Sequence, residues 1–406
     1  MDNRELFRAA LGLGSQWNID KIDFNQAEHE LHVHLRYVMD SPLPPCRECG
    51  AAGVHIHDFR PHQWRHLDFW QHKTYLHADV PRVRCAGGHV HVLEVPWARK
   101  GSGYTLLLEG MVLELAKGMP MAQVAGIVGL ADKKLWRIVD WYVRRAVDQQ
   151  NLSGVRRIGI DETSRRRRHR YITVFMDLDT RRVIFIAEGK GKTGISEFAA
   201  HLRQRGGDPS AITDVSCDMS EAFIAAIGKH LPKARITLDR FHIVKLINDA
   251  VDAVRRRERS EQACLKGARY VVLKRPDNLN ADERALLADL EQRNLETVKA
   301  YHLRLIFDDF FRQRTAADSR GFLKAWVTKA GLSASAEMRR VAKTVRDHWQ
   351  LIANWTRTRI TNGLLEGFNS LLQAMKASAR GYRTLGYITT IAYLIGLKPA
   401  DGFHHE

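Results

Sequence analysis

The chain has 406 residues, enough for several domains and a substantial buried core. Its 63 Lys+Arg against 46 Asp+Glu give a formal net charge of +17, which favours a polyanionic partner, nucleic acid being the commonest. No apolar stretch is long enough to cross a bilayer, and the opening MDNRELFRAALGLGSQW lacks the charged–apolar–small order of a signal peptide, so a cytoplasmic protein is expected and a membrane partner is not.

Residues 1–44 form an N-terminal segment in which EHELHVHLRYV alternates Leu31, Val33, Leu35 and Tyr37 with polar residues, a strand pattern closed by the break SPLPP. Residues 45–100 read as a zinc-binding module. Cys46 and Cys49 make a C-x2-C knuckle, and Cys85-Ala-Gly-Gly-His89-Val-His91 follows at the distance of a structural zinc ribbon, where four ligands close a tetrahedron. Either His89 or His91 completes the set; Gly87-Gly88 permits the tight turn that favours His89. The other two cysteines, Cys217 and Cys264, stand alone and read as small buried hydrophobes.

Residues 104–150 predict a helix-turn-helix: MAQVAGIVG, a turn at Gly129-Leu130, then ADKKLWRIVDWYVRRAV with Asp132 as its cap. Lys133, Lys134 and Arg137 fall on the early exposed turns, where a recognition helix touches DNA, and Leu135, Ile138, Val139 and Tyr142 on the buried side.

From residue 155 the runs RRIGIDE, RYITVFMDL and RRVIFIAEG predict an antiparallel meander. ISEFAAHLRQR (helix), ITDVSCD (strand), EAFIAAIGKHL (helix) and ARITLD (strand) follow. The order β-β-β-α-β-α-β describes an α/β mixed sheet of ribonuclease-H-like type. The catalytic part would span 155–245, a helical insertion 246–355, and a final part 356–395. Asp161 and Asp218 each end an apolar strand, where open sheets build their sites. GLLEGFNSLLQAMK predicts an amphipathic helix capped by Thr361 or Asn362, with Leu364, Leu365, Phe368, Leu371, Leu372 and Met375 on its apolar face and Glu366 near its start. Three carboxylates are the usual equipment for two divalent cations about 4 Å apart, and oxygen ligands suit magnesium. Glu162 would point to the opposite face from Asp161. Asp239, on the edge strand, and His242 are expected to support the ligands rather than join them. Arg165, Arg166, Arg167 and Arg168, between the first two strands, are placed to hold phosphates; Arg255, Arg256, Arg257 and Arg259 read equally as phosphate contacts or a solvated face.

IGIDE, CDMS, LDRFH and TNGLLEGFNSLLQAMKASARGYR resemble, in order and spacing, the bacterial insertion-sequence transposases of the ISL-three family, over residues 40–395. That resemblance implies a zinc module, a helix-turn-helix and a ribonuclease-H-like DDE domain with a helical insertion, and maps the catalytic triad onto Asp161, Asp218 and Glu366. It implies an enzyme that binds transposon-end inverted repeats and, with magnesium, cuts DNA and joins it to a target. The expected setting is the bacterial nucleoid, and the expected state a homodimer or higher oligomer on DNA. The family's zinc module commonly closes with a second C-x2-C, whereas here histidines follow Cys85. A DNA-binding regulator without catalysis and a structure-specific nuclease are the rival readings.

Overall fold

The computed structural model describes residues 3–397 apart from 167–169 and 190. The described residues divide into two compact units, 3–145 and 146–397.

The first unit opens with α1 (Asn3–Ala10), followed by β1 (Trp17–Asn25), β2 (Glu30–Tyr37), β3 (His55–Arg65), β4 (Lys73–Arg84) and β5 (Val90–Val92). These strands form one sheet in the order β1-β2-β4-β3, with β5 added beside the end of β4, so the N-terminal segment and the zinc module share a sheet. Its buried face gathers Trp17, Leu31, Val33, Leu35, Trp64, Leu76 and Val80 around Trp97. Trp17 and Trp97 meet edge-on at 4.9 Å.

Three helices follow: α2 (Leu106–Gly118), α3 (Met121–Val128) and α4 (Asp132–Asp148). Gly129 turns the chain between α3 and α4 at φ 68°, a left-handed conformation that glycine adopts without strain. Leu135, Ile138, Val139 and Tyr142 are buried as the pattern requires. Asp132 is the first residue of α4 rather than its cap, and its carboxylate favours the helix N-terminus from there. Glu109 on α2 is fully buried and accepts hydrogen bonds from Arg99 Nε (2.9 Å), Ser102 Oγ (2.7 Å) and Tyr142 Oη (2.8 Å), which ties α2 to α4 and to the segment before it. A buried carboxylate survives only when paired in this way.

In the second unit β6 (Arg157–Arg166), β7 (Arg170–Asp177) and β8 (Arg182–Glu188) form the meander, followed by α5 (Lys192–Gln204), β9 (Asp214–Cys217), α6 (Glu221–His230) and β10 (Arg235–Leu238). The sheet order is β10-β9-β6-β7-β8, with β6, β9 and β10 parallel. This is a ribonuclease-H-like mixed sheet. A helical stretch then runs through α7 (Arg240–Glu258), α8 (Ala281–Glu291), α9 (Glu296–Asp308), α10 (Ala316–Gly331), α11 (Ala336–Asp347), α12 (Trp349–Ala353) and α13 (Trp355–Thr358). Its core is continuous with that of the sheet: Ile247, Phe307, Trp326 and Val345 belong to the same buried cluster as Ile158, Val215 and Phe198. Asn354 Nδ2 donates to Ile236 O at 2.7 Å, returning the chain to β10.

The last helices are α14 (Gly363–Ser378) and α15 (Leu385–Gly396). The apolar stripe of α14 is narrower than its sequence suggests. Leu365, Phe368, Leu372 and Met375 are buried, but Leu364 and Leu371 are exposed. Two glycines admit these helices to the sheet. A Cβ on Gly159 would lie 2.3 Å from Leu365 Cδ1 and 2.9 Å from Asn362 Oδ1, and one on Gly396 would lie 2.4 Å from Val183 Cγ2. Gly159→Ala is therefore expected to cost roughly 1–3 kcal/mol of stability, the usual range for forced overpacking. Denaturant unfolding of the full chain measures it, and an unchanged midpoint would mean that α14 gives way without cost.

Candidate zinc centre and candidate active site

Cys46 lies in the loop after β2, where Gly50 N donates to its carbonyl (2.8 Å) and Gly50 itself takes φ 69°, folding the knuckle. Cys85 follows β4, and Gly88 at φ 82° turns the chain so that Gly88 N reaches Cys85 O and His89 arrives beside the thiol. The ligating atoms of Cys46, Cys49, Cys85 and His89 all lie within 4.8 Å of one another. Cys49 Sγ to Cys85 Sγ is 3.7 Å, Cys85 Sγ to His89 Nδ1 is 3.5 Å, and Cys46 Sγ to His89 Nδ1 is 3.9 Å. A tetrahedral zinc sets ligand-to-ligand edges of about 3.6–3.8 Å, so the four groups fit it. Burial pushes the Cys85 thiol up, but hydrogen bonds from the His89 backbone and the neighbouring thiols outweigh this and hold it at about 6, towards the thiolate that binds metal. Of the two candidate histidines His89 is the one in the cluster; His91 sits in β5 opposite Val83.

On α4, Lys133, Lys134 and Arg137 are all exposed. The arginines at the other positions behave differently. Arg165 is buried and paired with Glu188 at 3.0 Å, so its guanidinium is committed inside the protein rather than offered to phosphates. Arg167 and Arg168, and the side chain of Arg166, lie outside the described residues. Arg255 and Arg256 both pair with Asp252, and Arg257 pairs with Glu337, so these three are occupied by ion pairs within the helical stretch.

The acidic residues lie just past the ends of β9 and β10 and beside them in β6, where Asp161, expected to end its strand, instead sits mid-strand opposite Val174 of β7, because the pairing with β7 continues to Arg166. The parallel register pairs Arg157 with Asp214 and Gly159 with Ser216; continued by two residues, it sets Asp161 level with Asp218. On the other side Leu238 pairs with Cys217, and Asp239 N donates to Cys217 O at 2.8 Å, so Asp239 is level with Asp218 too. Three aspartates thus occupy one level on three adjacent strands. Glu366 comes in from the first turn of α14.

Asp239 lies nearer the centre than its edge strand suggests. It is almost completely buried, and its oxygens accept from Phe241 N (3.1 Å), Asn362 N (2.9 Å) and Thr361 Oγ1 (3.4 Å). It therefore caps α7 and fixes the entry of α14 at once. Asn362 holds the helix-capping position, but its side chain instead donates to Ile160 O at 2.9 Å, and Thr361 Oγ1 accepts from Gly363 N. Further along α14, Asn369 Nδ2 donates to Asp161 Oδ2 (2.8 Å), and Gln373 Nε2 donates to Thr163 Oγ1 (2.7 Å) and Ser164 O (2.8 Å). Gln373 is thus spent on β6 rather than facing a ligand.

Burial, followed by the charges of Asp239 and Asp161, raises the Glu366 carboxyl above its ordinary value. Asp161 is also raised by burial, which outweighs its hydrogen bonds and the His242 ring nitrogen 3.9 Å away. Burial is the main cause of both shifts, and neighbouring carboxylates add to it most clearly at Glu366. Asn369 Oδ1, buried beside Asp161, has no hydrogen-bond partner among the described residues, which adds another oxygen donor to the set. Asp218 Oδ1 accepts from Ser220 N at 2.9 Å, shaping the turn after β9. Hard oxygen donors of this kind fit a divalent cation such as magnesium.

Comparison with known proteins now decides the family. A transposase family model, that of the ISL3 DDE domain, matches residues 158–391, more than half of the chain. The chain belongs to the ISL3 family of transposases. The helix-turn-helix domain of transposase family ISL3 matches residues 93–143, and the zinc-finger of transposase IS204/IS1001/IS1096/IS1165 matches residues 42–88. The chain is 28% identical to the transposase for insertion sequence element IS1557 of Mycobacterium tuberculosis, over 97% of this chain and 96% of that one. It is 25% identical to the transposase for insertion sequence element IS1001 of Bordetella parapertussis, over 95% and 97% respectively. The protein is a DNA transposase, a nucleic-acid-processing enzyme with a structural zinc centre. Among the described residues no helix is long and apolar enough to cross a membrane.

Sequence reasoning missed the central position of Asp239 and the buried Glu109 network. Its one available clue to the first was that LDRFH puts an acid at a strand-to-helix junction, a capping position. For the zinc centre, metal analysis of purified protein should find about one zinc per chain and much less in Cys46→Ser. Equal zinc in both would remove Cys46 from the ligand set.

Proposed function

We propose that Asp161, Asp218 and Glu366 form the catalytic triad of this transposase and hold two magnesium ions beside β6, the end of β9 and the start of α14. What supports this reading is the level register of Asp161 with Asp218 on adjacent strands, together with the charges of Asp239 and Asp161 acting on the raised Glu366 carboxyl. Such a cation pair supplies an activated water or 3′-hydroxyl and stabilises the leaving oxygen. Asn369 orients the Asp161 carboxylate, and Asp239, its own oxygens engaged by backbone donors, sets the entry angle of α14 and with it the position of Glu366. On this reading the enzyme cuts at the ends of its element and joins the freed 3′ end to a target, acting on the bacterial chromosome as a dimer or higher oligomer. The exposed Lys133, Lys134 and Arg137 of α4 contact the terminal inverted repeats.

One experiment separates the two roles. Asp161→Asn, Asp218→Asn and Glu366→Gln should each bind element-end DNA about as well as the wild type and show no magnesium-dependent cleavage or joining, since such ligands act as a unit. The Lys133→Ala/Lys134→Ala/Arg137→Ala variant should instead lose end binding, and wild-type binding should fall steeply with salt. Cleavage by Glu366→Gln near the wild-type rate would sink the triad. Cleavage without strand joining by the wild type would favour a nuclease.

A further inference from the structure

In the helical stretch before α14, α10, α11 and the start of α12 enclose a pocket of about 370 Å³ lined by Leu323, Val327, Thr328 and Trp349, with Arg320, Lys324 and Arg346 at its rim. Its floor is apolar: Leu323 is 1% exposed. Trp349 remains 40% exposed, a cost that its own packing does not explain. The rim is the opposite in character. Arg320, Lys324 and Arg346 are all exposed, and Arg346 pairs with its neighbour Asp347 at 3.4 Å. Residues 316–349 hold seven Lys or Arg against three Asp or Glu. From Trp349 the chain passes through α12 and α13 directly into α14, the helix that carries Glu366.

We propose that this pocket takes an unpaired DNA base, stacked on Trp349, with the flanking phosphates held by Arg320, Lys324 and Arg346. A flat aromatic wall over an aliphatic floor suits the π-face of any base, and cations on the rim suit the backbone on either side; together they are the elements of a single-strand platform. The match of rim charge to phosphate selects nucleic acid over an apolar protein segment. The inference rests on the reading of the chain as a DNA-processing enzyme in one respect: the ligand is the DNA being processed, opened at or near the cut.

The test uses the full chain and two DNA duplexes of equal length, one blunt and one with a short single-stranded overhang carrying 5-iodouracil. Long-wave irradiation should crosslink the overhang to Trp349, as located by mass spectrometry. Trp349→Ala and Arg320→Ala/Lys324→Ala should weaken overhang binding by roughly 5- to 100-fold, the range for losing a stacked base, and leave blunt-duplex binding unchanged. Trp349→Phe, which keeps a ring, should retain most of the affinity and separates stacking from a folding defect. Crosslinks that map elsewhere, with wild-type overhang affinity in Trp349→Ala, would overturn the proposal. So would self-association that Trp349→Ala abolishes, since a second copy would then cover the pocket. Because the readout is binding, a wild type that crosslinks at Trp349 but never cuts DNA would count against the catalytic reading alone.

Discussion

Carboxylates brought together in a partly dry place repel one another, and the second unit is arranged around keeping them there. Burial raises both Asp161 and Glu366, and at Glu366 the charges of Asp239 and Asp161 add to it, which is the energetic trace of that crowding. The restraint comes from backbone hydrogen bonds and close packing. Gly159 leaves room for Leu365 against β6, Asn362 bonds to the β6 backbone, and Asp239 holds the start of α14. Each places Glu366 by fixing the helix that carries it.

The same logic explains why the long helical stretch does not behave as an appendage. Residues of α7, α9, α10 and α11 share the buried cluster of the sheet, and Asn354 and Thr358 bond to β10. Glu258 at the end of α7 accepts from Glu296 N and Thr297 N, capping α9 across the stretch. Anything that engages α10 or α12 is therefore mechanically close to α14.

Much of this was legible in the sequence because the informative residues break local rules. An acid that interrupts or ends an apolar run, as at Asp161 and Asp218, has no core role, and the paired cysteines have only metal chemistry to justify their spacing. Other features left no such mark. β3 alternates only over its first half and then exposes His62 and Gln63, so it lacks a strand's usual period. Arg165 and Arg255 sit in basic runs, yet both are buried against a carboxylate, Glu188 of β8 for Arg165 and Asp252, one turn earlier on α7, for Arg255. Leu364 and Leu371 carry the helical period of α14 but stand outside the strip that the sheet covers. Periodicity gives the direction of a side chain; only the partner decides whether that direction is inside.

The most direct test of carboxylate crowding is the thermal stability of the wild type and Glu366→Gln with and without magnesium across pH. A raised carboxyl takes up its proton on folding, so the stability it contributes is present below the ordinary value of 4.5 and is lost as pH rises through the elevated folded value. Without cation, the wild type should therefore lose melting temperature relative to Glu366→Gln as pH rises towards neutrality, and magnesium should restore the wild type while moving the variant little. A variant that is less stable than the wild type at neutral pH without cation, with the same magnesium shift in both, would contradict the account and leave Glu366 as a favourable charge at a helix end.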